Sequence, residues 1–117
     1  MNGTIDILGT KHEVRFRKRK EDPRLENLDG YYDPTVKLIV ACEFEPSTDE
    51  NVDVQNFKAL RQKVLRHEIV HAFLYESGLH VNANVWHGAW PESEEMVDWF
   101  AIQGPKIYAA WQEADCL

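Results

Sequence analysis

The chain has 117 residues, enough to bury one core and too few for two. It is 44% hydrophobic and 28% charged with four Trp and five Phe, which excludes a disordered chain. Its formal net charge of -7 opposes non-specific binding to nucleic acid or to an anionic membrane surface.

No charged start leads into an apolar run, and no stretch approaches the roughly 18 apolar residues needed to span a bilayer. The expectation is a cytoplasmic, single-domain protein over residues 1–117. Cys42 and Cys116 stand far apart, outside any metal-ligand spacing, and read as idle thiols.

Two strands are predicted first. Thr4 to Leu8 is a short apolar-rich run ended by Gly9, and His12 to Lys18 alternates around Val14 and Phe16, so the two are expected to form a hairpin. Arg19 to Pro34 is charged, with two prolines and Asp29-Gly30, and reads as a connection. Thr35 to Phe44 is β-branched and almost continuously apolar, which places it in the middle of a sheet. A three-stranded N-terminal sheet follows. The basic run Arg15, Arg17, Lys18, Arg19 and Lys20 reads as a solvated edge strand guarded by charge.

Helical spacing takes over in the second half. Pro46 to Asn51 is a polar break in which Ser47 or Asp49 could cap a helix starting at Val52 and stopping at Gly78. Its last three turns are apolar nearly all round, which predicts a buried helix. A loop from His80 to Trp90 precedes a second helix, opened by Pro91 or Ser93 and closed by Gly104-Pro105. A short third helix runs from Lys106 to about Ala114. The class is therefore α+β, a sheet packed on one long helix with two shorter C-terminal helices.

Inside the long helix the sequence is HEIVH. His67 and His71 are four apart and share one helix face, while Glu68 lies about 100° round. Two imidazoles at this spacing can grip one Zn²⁺, and a glutamate beside them can act as a base instead of a ligand. The competing reading is a pair of satisfied core histidines. A buried helix would make two unpartnered imidazoles and a carboxylate costly, and a divalent ion would offset that cost.

A third ligand must come from further along the chain. Leu74 and Ser77 stand where metzincins carry Gly and His, which excludes that class. His80, His87, Glu92, Glu94 and Glu95 are the candidates. Glu94 ranks first because Asp98, four residues on, shares its face and could orient a ligand histidine; Glu95 ranks second and His87 third. The glutamates equally suit a helix start, where they complement the dipole.

HEIVH followed by EEMVDWFA resembles the gluzincin pattern, in which two histidines on one helix and a glutamate on the next hold zinc, with an aspartate one turn later as its partner. Glu94, Val97, Asp98, Phe100 and Ala101 are similar to the E-x-x-A-[ND]-x-F-A element of ImmA/IrrE-like metallopeptidases, Val97 replacing the usual Ala. From ILGTKHEV through DGYYDP and LRHEIVHAFLYESGL to EADCL, the chain resembles short phage-type zinc metallopeptidases. The resemblance implies a zincin-like fold, zinc on His67, His71 and Glu94, and Asp98 behind them; peptidase chemistry calls for a protein or peptide substrate, whose identity the resemblance does not give. ImmA/IrrE-type members cleave repressor partners.

On that reading Glu68 is the general base, and Tyr31, Tyr32, Tyr75, His80 and His87 are possible oxyanion donors. Two other classes stand beside it. One is a catalytically silent binding module stapled by zinc. The other is a zinc-dependent endoribonuclease, against which Glu68 and the Glu94/Asp98 pair argue.

Overall fold

A computed structural model describes residues 2–49, 55–78 and 94–117, without the side chains at positions 94, 97, 98 and 101. Strands β1 (Gly3–Ile7) and β2 (Thr10–Arg17) form the expected antiparallel hairpin, Ile7 opposite Thr10. Its two turn residues, Leu8 and Gly9, both have positive φ (52° and 89°), the backbone that matches strand twist in a two-residue turn. Asn or Gly would be easier at the first position. Leu8 is kept there by packing against the core, and Asp6 Oδ2 accepts the Gly9 N–H at 3.1 Å.

The connection holds more structure than its composition suggests. Two short 3-10 turns, Arg19–Glu21 and Pro23–Glu26, are followed by a strand, β3 (Gly30–Asp33). Strand β4 (Leu38–Cys42) pairs antiparallel with β3 and parallel with β2. The sheet is thus four-stranded and mixed, in the order β1-β2-β4-β3, and corrects the expectation of three strands. The fourth was hidden because Asp29-Gly30 reads as a turn and Tyr31-Tyr32 is too short to show alternation.

As expected, β4 lies inside the sheet and is buried on both faces. Ile39 and Ala41 join the main core, while Val40 and Cys42 join a second cluster with Leu25 and Phe44. Strand β2 also lies inside, between β1 and β4, so the basic run is not an edge strand. Four of its five cations have carboxylate partners: Arg15 contacts Glu13, Arg17 lies 3.0 Å from Asp22, Lys18 2.9 Å from Glu45, and Arg19 meets both Asp29 and Asp49.

Helix α1 (Phe57–Glu76) is capped by Asn56, whose side chain accepts the Ala59 N–H at 3.0 Å. Asp49 does not cap it; its carboxylate binds Arg19 and the Glu45 N–H. The helix ends through Ser77 and Gly78, the latter at φ 84° as its stop signal requires. Leu65, Ile69, Ala72 and Phe73 pack on Ile5, Ile7, Val14, Ile39 and Ala41 of the sheet.

Helix α2 (Glu94–Glu113) continues through Gly104-Pro105, where two helices were expected. Pro105 removes one helical N–H, and a proline normally pushes its predecessor out of helical backbone by a clash involving Cβ. Gly104 has no Cβ. Beyond it Ile107, Ala110 and Ala114 continue the buried stripe begun by Trp99, so packing favours one continuous helix. Trp99 Nε1 donates to Ser77 Oγ at 3.1 Å and ties α2 to the end of α1. No helix among the described residues is long and apolar enough to cross a membrane.

Candidate metal centre

Only one side of α1 faces the sheet. His67, His71 and Tyr75, each four residues after the last, form a stripe on its exposed side, which corrects the expectation of a helix buried all round. Glu68 lies on the other side of that boundary and is buried, 7% exposed. The imidazoles therefore face outward while the carboxyl between them in sequence is sunk against the sheet.

The two rings converge. Their Nε2 atoms are 3.1 Å apart and their centres 4.7 Å apart. Two nitrogens bound to one tetrahedral zinc at about 2.0–2.1 Å each lie about 3.3 Å from one another, so the pair fits a shared ion with almost no rearrangement. An N–H···N bond between neutral rings fits the same separation. Partial desolvation of this outward-facing ring, and then the charge of His67, hold the His71 pKa below its usual value, which favours the neutral form a ligand must have.

Glu68 Oε1 lies 4.0 Å from His67 Nε2. Burial pushes the Glu68 carboxyl up to about 7, a value that places its proton exchange near neutrality. The wall against its stem is strand β3. A Cβ on Gly30 would stand 2.6 Å from Val64 Cγ1, 2.7 Å from the Val40 carbonyl oxygen and 3.3 Å from Glu68 Cγ. Bare backbone at Gly30 is what lets β3 close on α1 at Glu68. Asp29-Gly30 is visible in sequence, yet nothing in it distinguishes a close approach from a turn.

Glu94 and Asp98 occupy the first turns of α2, one turn apart, with side chains outside the described residues. Among the described residues no group of three His, Cys, Asp or Glu side chains forms a ready metal cage. His80, His87 and Glu92 lie outside the described residues, and so do the loop and the predicted helix start at Pro91 or Ser93. Glu95 is exposed on α2.

The tyrosines separate by face. Tyr31 turns to the second cluster, where its hydroxyl donates to Asp22 and accepts from Arg17. Tyr32 turns to the main core, its hydroxyl 3.0 Å from Nε2 of His12. Tyr75 stays on the histidine stripe, its ring edge-on to Tyr32 at 6.0 Å. Sequence reasoning missed His12, although the alternation around Val14 and Phe16 already put it on their side of the strand. No protein-family profile, curated protein or solved structure matches this chain.

Proposed function

We propose that this chain is a zinc-dependent peptidase with a zincin-like fold, with His67, His71 and Glu94 as metal ligands and Glu68 as general base. The observation that carries the reading is the convergence of two imidazole nitrogens to 3.1 Å beside a buried carboxyl. Zinc in such a site supplies a Lewis acid that acidifies water and polarises a carbonyl. Glu68, with its pKa raised to about 7, takes the proton from the water that attacks the peptide carbonyl and returns it to the leaving amine. Strand β3 at Gly30 lies close against the Glu68 stem on its sheet side.

Asp98 is assigned to orient a ligand imidazole through its second nitrogen. Tyr75 is the favoured oxyanion donor among the described tyrosines, since it lies on the histidine stripe one turn beyond His71. An extended peptide of an intracellular regulatory protein would add to the edge of β3, which pairs only with β4 among the described strands. The cytoplasm is the compartment this reading implies. A buried carboxyl beside the pair is unnecessary for a zinc that merely staples two helices, and favours catalysis over a silent binding module.

Metal content and turnover test this together. Protein purified without added metal, then offered zinc, is expected to hold about one zinc per chain. Glu68→Gln should keep the metal and the fold while cleavage of a peptide library falls at least about 10²-fold. Loss of zinc in Glu68→Gln refutes the assignment of base and ligands, and a wild-type chain that takes up no zinc refutes the metal centre itself.

A further inference from the structure

His12 is a fully buried imidazole that the proposed chemistry leaves unused. Its Nδ1 lies 3.0 Å from the carbonyl oxygen of Thr10, a group that can only accept, so this nitrogen carries a proton in either charge state. In the neutral ring Nε2 is then a bare acceptor, and the Tyr32 hydroxyl from β3 donates to it at 3.0 Å. The same nitrogen faces a second group, Glu76 Oε1 in the last turn of α1, 3.5 Å away.

Glu76 is held independently of His12. Lys37 Nζ, from the turn between β3 and β4, lies 2.7 Å from Oε1, and Thr10 Oγ1 donates to Oε2 at 3.3 Å. Tyr75 closes the surround, its ring beside Tyr32 and 5.5 Å from Lys37 Nζ. Nε2 thus stands between partners with opposite demands. A neutral ring can only accept there and suits Tyr32; a protonated ring can only donate, and the Glu76 carboxylate is a stronger acceptor than a phenol.

We propose that His12 is a proton-operated latch between the sheet and the last turn of α1. Uptake of one proton from solvent at Nε2 replaces the Tyr32 O–H···N bond with an N–H···O bond to Glu76, and turns the Tyr32 hydroxyl hydrogen free beside Tyr75. Below the transition Glu76 is held by two cations, His12 and Lys37; above it, by Lys37 alone. The latch does not depend on the metal centre, and it survives if the chain proves not to be a peptidase.

The test follows the ring nitrogens of His12 by NMR in the ¹⁵N-labelled full chain, without added metal, across about pH 4 to 9. The neutral ring is expected to carry its proton on Nδ1. Tyr32→Phe removes a bond to the neutral form and should raise the titration midpoint by about half a unit to one unit. Glu76→Gln removes the charge that favours the protonated form and should lower it by a similar amount. Lys37→Met, which removes an opposing cation, should raise it. Opposed shifts are the signature of the latch. A fixed clasp, with Nε2–H donating permanently to Tyr32, would show a neutral ring protonated on Nε2 and downward shifts in both Tyr32→Phe and Glu76→Gln. That result, or a wild-type ring that never changes state over the range, overturns the proposal. The wild-type tautomer decides even if a variant does not fold.

Discussion

At Gly30 one missing atom group sets the distance between strand and helix. A methyl there would meet the Val40 carbonyl oxygen at 2.7 Å and Val64 Cγ1 at 2.6 Å, and of these only the valine end can yield. Gly30→Ala should therefore destabilise the protein by about 1–3 kcal/mol, the usual cost of overpacking, and move Glu68 outward. Chemical denaturation measures the first effect; an Ala variant as stable as wild type would show that the strand has room to retreat. The histidine pair was legible in sequence because a spacing of four has one meaning on a helix. Gly30 and His12 were not. Their importance arises from partners far away in sequence, Glu68 for the one and Glu76 for the other.

Element boundaries divide along similar lines. The β1–β2 hairpin, the interior place of β4 and the stop of α1 at Gly78 follow from alternation, apolar continuity and a left-handed glycine, all local signals. Strand β3 and the unbroken α2 follow from packing, which local signals do not contain. Pro105 sharpens the point, since it breaks the hydrogen-bond ladder of a helix that the core nevertheless keeps whole. Pro105→Ala restores an N–H to the carbonyl of residue 101 and should raise stability, by up to about 3 kcal/mol as the upper bound of the proline penalty. A lower melting temperature in that variant would mean that the proline sets a bend on which the packing of Ile107 and Ala110 relies. The roles proposed for Glu94 and Asp98, in the first two turns of α2, are read from sequence alone.

Across the whole molecule, Arg19 joins segments that no strand pairing connects. Its guanidinium reaches Asp49 at 2.6 Å and Asp29 at 2.7 Å, and donates to the carbonyls of Leu25 and Leu28. Burial pushes the Asp49 carboxyl up, but the hydrogen bonds from Arg19 and the Glu45 N–H outweigh it and leave its pKa below the usual value. A lowered folded value means that this pair stabilises above the unfolded pKa of about 3.9, and that the contribution is lost as pH falls through the folded value. Melting temperature should therefore drop on acidification below about pH 4. Asp49→Asn should cost about 3 kcal/mol at neutral pH and flatten that drop. An acid limb unchanged by the substitution would assign it to other carboxylates.

The parallel seam between β2 and β4 also bears on how fast the chain reaches this sheet. The hairpins on either side of it close over short turns, whereas Val14 cannot meet Ile39 until the whole connection from Lys18 to Asp29 has folded back. Loop-closure entropy must be met before that seam returns any contact energy, so docking of two preformed hairpins is the expected slow step. Doubling the connection with Gly and Ser residues would add about 0.6 kcal/mol of closure entropy, and slow refolding about threefold while leaving the unfolding rate alone. Stopped-flow kinetics in which unfolding accelerates instead would place closure after the barrier. On this account one of the most polar stretches of the chain is the clock of its folding.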